Sequence, residues 1–152
     1  MTSGTDSGHM GLALREAHLA AGRGEVPVGA VLVAPDGKVI ASDGNRMREF
    51  SDPTGHAEML VIRRVCEELS CERLSGFDLY VTLEPCTMCA AAISFARIRR
   101  LYFGASDPKM GAVEHGGRFF NQTSCHHAPE IYGGIGERAA AEVLRTFFGS
   151  RR

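Results

Sequence analysis

Leu79-Tyr80-Val81-Thr82-Leu83-Glu84-Pro85-Cys86-Thr87-Met88-Cys89-Ala90-Ala91-Ala92 is the stretch on which the reading of this chain turns. Its first five residues form a β-branched, aromatic and aliphatic run that reads as a buried strand. Pro85 ends that strand. From Thr87 to Ala96 the residues Met88, Ala90, Ala91, Ala92, Ile93 and Phe95 favour helix, so Cys86 and Cys89 fall at a strand-to-helix turn with Pro85 near the helix start. Both sulfurs then lie at the positive end of a helix, where unpaired N–H groups and the dipole favour thiolate, the form that binds metal. Arg99 to Gly104 (RRLYFG) makes the next strand, parallel to the first because a helical crossover joins them.

Upstream, Met10 to Ala21 places Leu12, Ala13, Ala17, Leu19 and Ala20 at helical spacing, with Gly22 as a stop. Glu25 to Val33 reads as a buried strand, Pro35-Asp36-Gly37-Lys38 as a tight turn, and Lys38 to Asn45 as the antiparallel partner. The polar loop Arg46 to Gly55 delivers the chain to a second helix from about His56 through Glu68, with Met59, Leu60, Ile62, Val65 and Leu69 as its apolar stripe. Downstream, Ala105 to Pro129 lacks periodicity, as long functional loops do. Ile131 to Gly134 is a short strand or a turn, and about Gly136 to Phe148 a final helix. The order predicts an α/β fold, a three-layer α/β/α sandwich over a mixed five-stranded sheet.

With 152 residues, 44% of them hydrophobic, the chain has the size of one domain, expected over residues 10–152 behind a mobile tail at 1–9. A formal charge of −1 and a pI near 6.6 argue against coating nucleic acid by bulk electrostatics, though not against a local basic patch. Five cysteines with a CxxC pair do not suggest a disulfide framework, so a reducing cytoplasm is expected. No apolar run reaches membrane-spanning length and the opening residues have no signal-peptide core.

The chemistry lies in two helix starts. His56-Ala57-Glu58 and Pro85-Cys86-Thr87-Met88-Cys89 together offer one imidazole and two thiolates, a ligand set suited to Zn²⁺. A fourth protein ligand would make such a site structural, and water in that position would make it catalytic. Glu58 favours catalysis, because a carboxylate near the metal can carry the proton of its water. Residues two apart on a regular helix point in different directions, so His56 must sit at the helix cap, where its dihedrals are free. Either motif alone is weak, since CxxC is also a redox pair. Jointly they have the HxE…PCxxC form of base deaminases.

The resemblance extends further. Glu25 to Val31 (EVPVGAV), Gly44-Asn45-Arg46, Asp52 to Glu58 (DPTGHAE), Leu79 to Cys89, and Phe103-Gly104-Ala105 with Asp107 and Lys109 resemble the bacterial tRNA-specific adenosine deaminases of the cytidine/deoxycytidylate deaminase superfamily. That resemblance covers roughly residues 10–152. It implies the cytidine-deaminase fold, a homodimer with one Zn²⁺ per subunit, and hydrolytic conversion of adenosine to inosine at wobble position 34 of the arginine tRNA with anticodon ACG. By the same resemblance His56, Cys86 and Cys89 hold the zinc, and Glu58 shuttles protons for the zinc-activated water. Asn45 hydrogen-bonds the flipped base, Asp107 lies beside the substrate, and Val28, Glu84, Phe147, Phe148, Arg151 and Arg152 join them in substrate binding. Gly55 stands where the family commonly has Ala, which could loosen the loop before His56, and Met110 to Ala128 does not align simply with the best-known members.

Two arginine clusters, Arg97 with Arg99 and Arg100, and Arg145 with Arg151 and Arg152, are readable as phosphate contacts or as solvated charge. His126-His127 after Cys125 reads as a surface loop near the active site and not as a second metal centre, because adjacent residues do not readily converge on one ion. Cys66 and Cys71 read as reduced and partly buried. Two rivals to the RNA enzyme are a deaminase of a free nucleobase or nucleoside and a non-catalytic RNA-binding protein stabilised by zinc. The DPTGHAE and Asn45-Arg46 signals and the C-terminal Phe147-Phe148 with Arg151-Arg152 oppose the first, and Glu58 the second.

Overall fold

In the computed structural model, which describes residues 6–150, a five-stranded sheet runs in the order β2-β1-β3-β4-β5. The strands are β1 (Gly29–Val33), β2 (Val39–Gly44), β3 (Asp78–Leu83), β4 (Arg100–Ala105) and β5 (Glu130–Tyr132). Strand β1 is antiparallel to both β2 and β3, while β3, β4 and β5 are mutually parallel. The helices are α1 (Gly11–Gly22), α2 (Ala57–Leu69), α3 (Thr87–Phe95) and α4 (Glu137–Gly149). The mixed sheet between helical layers is the architecture expected from the order of elements.

Alternation along the strands divides two cores. Ala30, Leu32, Leu79, Val81, Leu101 and Phe103 pack with Val61, Ile62, Val65 of α2 and Ile93 of α3. Val31, Val33 and Tyr80 point the other way, to Met10 and Ala13. Burying each such Val or Leu contributes roughly 1.5–3 kcal/mol. On that second face Ala13, Ala17 and Ala20 are wholly buried, a small-residue stripe that brings α1 close to the sheet. Gly29 is required by that approach, since a Cβ there would stand 1.9 Å from the Ala13 carbonyl oxygen. The three register-matched tyrosines of the parallel strands stack across this face, Tyr80 on Tyr102 at 4.3 Å and Tyr102 on Tyr132 at 5.0 Å.

Two boundaries differ from expectation. The strand read from Glu25 begins only at Gly29, because Glu25 is buried and its carboxylate accepts the backbone N–H groups of Arg48 and Glu49 at 3.1 and 2.9 Å. The tail expected at 1–9 is structured at its end: Asp6–Met10 forms a kinked helical turn, His9 packs on Tyr80 with ring centroids 5.0 Å apart, and Met10 is fully buried. Met10 is a core residue, and the turn before it follows its anchor; residues 1–5 lie outside the described residues. Among the described residues no helix is long and apolar enough to cross a membrane.

Candidate active site

The two helix starts meet at the carboxyl end of β3. His56 caps α2 with φ −76° and ψ 150°, and Cys86 caps α3 with φ −76° and ψ 177°. Both are extended, so each side chain leaves its helix along a direction that an interior residue cannot take. Nδ1 of His56 lies 3.4 Å from Sγ of Cys89 and 3.7 Å from Sγ of Cys86, and the three donor atoms fall within 4.8 Å of one another. This is the one such donor cluster among the described residues. One imidazole and two sulfurs at this spacing can hold a metal ion of the zinc type.

The ionisation pattern shows how closely the groups couple. The Cys86 thiol is pushed down to about 4, chiefly by the hydrogen bond from Cys89 and then by His56, against the opposing effect of burial. Cys89 is pushed up because it donates that hydrogen bond and is buried, and His56 is raised chiefly by its bond to Cys86. Glu58, in the first turn of α2 and 4% exposed, is pushed up to about 7, mainly by burial. A bound dication acts on Glu58 in the opposite direction.

Neither cap residue supplies a side-chain bond to its helix. For α2 the work is done from a distance: the buried Asn45 accepts the N–H of Ala57 through Oδ1 at 2.8 Å. Its oxygen committed, Asn45 has its amide NH₂ group to offer to a ligand. The preceding loop is tied by Arg46 N–H to the Gly55 carbonyl and Gly55 N–H to the Asp52 carbonyl, both 3.0 Å. A Cβ on Gly55 would stand 3.2 Å from the Arg46 and Asp52 oxygens, so the loop is closed by backbone bonds and needs no methyl there.

A cavity of about 400 Å³ opens over these groups, lined by Val26, Val28, Asn45, Met47, His56, Glu58, Leu83, Glu84, Cys86, Asp107 and Met110. A second cavity of about 570 Å³ shares Val26, Leu83, Asp107 and Met110 and adds Ser106, Lys109, Leu144 and Phe148. The structure thus brings His56, Glu58, Cys86 and Cys89 together and sets Val28, Asn45, Glu84 and Asp107 around them. Val26, Met47, Leu83 and Met110 escaped the sequence reading, because apolar side chains beside a strand end carry no signal that separates pocket wall from core.

Several expectations change. Glu84 reaches the cavity wall, with its carboxylate occupied by hydrogen bonds from the 107–115 loop. Of the two phenylalanines, Phe147 is turned into the core at 7% exposure and only Phe148 reaches the groove. Arg151 and Arg152 lie outside the described residues. Arg99 pairs with Asp78 at 3.0 Å and Arg100 with Glu130 at 3.2 Å, at the start of β4 and so at the opposite end of the sheet from Cys86. The Cys125–His127 segment packs on Ser94 and Ile98 near the end of α3, again away from the donor cluster, with His127 Nε2 2.7 Å from the Ile98 carbonyl oxygen. A helix and a parallel strand run in opposite directions, which puts the end of α3 beside the start of β4.

Comparison with known proteins agrees with this geometry. The model of the cytidine and deoxycytidylate deaminase zinc-binding region matches residues 3–105. The tRNA-specific adenosine deaminase of Agrobacterium fabrum is 66% identical over 94% of this chain and 93% of its own length, and that of Rickettsia bellii is 47% identical over 90% and 94%. A solved structure from work on A-to-I editing by tRNA:A34 deaminases at the wobble position of transfer RNA superposes with a TM-score of 0.88 at 67% identity, over 90% of this chain and 98% of that one. The chain belongs to the tRNA-specific adenosine deaminases, within the family of the cytidine and deoxycytidylate deaminase zinc-binding region.

Proposed function

We propose that this enzyme converts adenosine to inosine at wobble position 34 of tRNA, with the ACG-anticodon arginine tRNA as substrate, as a cytoplasmic homodimer with one Zn²⁺ per subunit. The observation that carries the reading is a buried Glu58 carboxyl beside the His56, Cys86 and Cys89 donors, at a cavity walled by Asn45 and Asp107. His56, Cys86 and Cys89 would hold the zinc, which when bound supplies the Lewis acid that makes water nucleophilic at neutral pH.

The chain's own residues do the remaining work. Glu58 takes the proton of the attacking water, delivers it to the purine ring and passes a proton to the departing amine. A C6–O bond forms, the C6–N bond breaks, and adenosine plus water becomes inosine plus ammonia. Asn45, its Oδ1 held by Ala57, donates from its NH₂ group to an acceptor on the base. A base must leave its stack to reach the cavity, which costs least in a single-stranded anticodon loop.

The decisive assay offers the purified enzyme an anticodon stem-loop containing ACG, free adenosine and free cytosine. Inosine is expected at position 34 with the free compounds almost untouched. Comparable turnover of a free base or nucleoside would overturn the RNA assignment.

A further inference from the structure

Glu84 is two residues from a metal-ligand candidate, yet its carboxylate faces a loop. Oε1 accepts the Asp107 N–H at 2.9 Å and lies 2.8 Å from His115 Nδ1. Oε2 accepts three successive backbone N–H groups, of Val113 at 3.0 Å, Glu114 at 2.8 Å and His115 at 3.1 Å. Successive N–H groups turned onto one oxygen make a nest for an anion. The side chain is completely buried, so no water competes for these donors. The neighbouring backbone joins in, with Ala112 N–H donating to the Pro85 carbonyl at 2.9 Å and Glu84 N–H to Ala105 at 2.9 Å.

The loop is built to admit this carboxylate. A Cβ on Gly111 would stand 2.5 Å from both the Asp107 carbonyl oxygen and Cδ of Glu84 and 2.7 Å from Oε2, so only glycine fits between the loop backbone and the carboxylate. Asp107 carries the order onward: while its N–H is held by Glu84, its own Oδ1 accepts Lys109 and Met110 N–H at 3.2 and 3.0 Å. Asp107 and Met110 are both walls of the active-site cavity and of the groove beside it. Between Ala105 and Phe119 no helix or strand supplies these contacts.

We propose that Glu84 is a positioning residue of the deaminase, fixing the 107–115 loop and through it the two cavity walls that meet the RNA, without itself touching substrate. The kinetic part of this proposal rests on the function proposed above; the structural part does not. Glu84→Gln keeps the shape but aims an NH₂ group at N–H donors, leaving at least one without an acceptor. Glu84→Ala provides a second route, since it removes both acceptor oxygens without adding a donor.

The test combines amide hydrogen exchange with steady-state kinetics on the ACG stem-loop and zinc content, using the full chain. In Glu84→Ala the amides of Asp107, Val113, Glu114 and His115 are expected to exchange at least about tenfold faster, and in Glu84→Gln at least one of these four, with those of β1 unchanged in both. KM for the stem-loop rises about tenfold while kcat stays within about threefold and zinc is retained. Unchanged exchange at Asp107 and 113–115 in Glu84→Ala overturns the anchor, and loss confined to kcat assigns Glu84 to the chemistry instead. Should the wild-type enzyme leave the stem-loop unmodified, the proposed function fails, and the exchange measurement still decides whether Glu84 holds the loop.

Discussion

The two ends of β3 use polar residues in opposite ways. At its carboxyl end Glu84 and the donor cluster are buried or half-buried, and each carboxylate oxygen of Glu84 has its own partners. At its amino end Asp78 meets an Arg99 side chain that is 42% exposed, and the neighbouring Arg100–Glu130 pair is 36% and 57% exposed. The Arg100–Glu130 pair is screened by water and contributes little, the bidentate Arg99–Asp78 pair is partly shielded, and the charges of the first setting are strengthened by a low dielectric and costly to strand. Open α/β sheets place their clefts at the carboxyl ends of parallel strands, where helix N-termini converge. Here the caps of α2 and α3 put the ligands at that end.

The comparison predicts unequal consequences. The largest belong to the carboxyl end: Glu58→Ala should keep zinc and lose about 10²- to 10⁴-fold in rate, whereas His56→Ala or Cys86→Ala should lose the metal itself. Metal analysis of the three proteins separates these outcomes, and zinc lost from all three would put the proton-shuttle role in question. An intermediate effect concerns Tyr80, whose phenol is pushed up to about 12, chiefly by burial and then by Tyr102. A pKa raised in the fold means stability intact below the unfolded phenol value near 10 and lost as pH rises toward 12. Tyr80→Phe should flatten the fall of Tm over that interval; an unaltered slope would place its origin elsewhere. The smallest effect is that of Arg100→Ala, which should leave stem-loop turnover and Tm essentially unmoved. A marked rise in KM there would mean that the amino end also meets RNA, and the contrast between the ends would break.

The division between ends was only partly readable beforehand. Periodicity places the helices and strands, and the HxE and CxxC spacings pick out His56, Glu58, Cys86 and Cys89, because these residue types at helix starts have few other uses. The requirement that His56 leave helical geometry follows from two-residue spacing alone, and ψ 150° meets it. Buried acids are another matter. Glu25, Asp43 and Glu84 carry no pattern that marks them as interior, since each is satisfied by partners brought from loops or from elsewhere along the chain: Arg48 and Glu49 N–H for Glu25, Arg46 and Arg64 for Asp43, and the 113–115 amides for Glu84. The arginine cluster stayed open between phosphate contacts and solvated charge, because adjacency in sequence says nothing about which end of a strand faces the cavity.

The sheet's outer margins limit how copies of this enzyme can meet. Strand β5 has only three residues, all exposed, enters from Pro129, which has no N–H to donate, and carries the charged Glu130. At the opposite margin Arg64 donates to the Ser42 carbonyl of β2 at 3.3 Å, occupying an acceptor that an incoming strand could have used. Neither border invites continuation of the sheet from one molecule into the next. The same borders guard a concentrated solution of the protein against edge-to-edge aggregation.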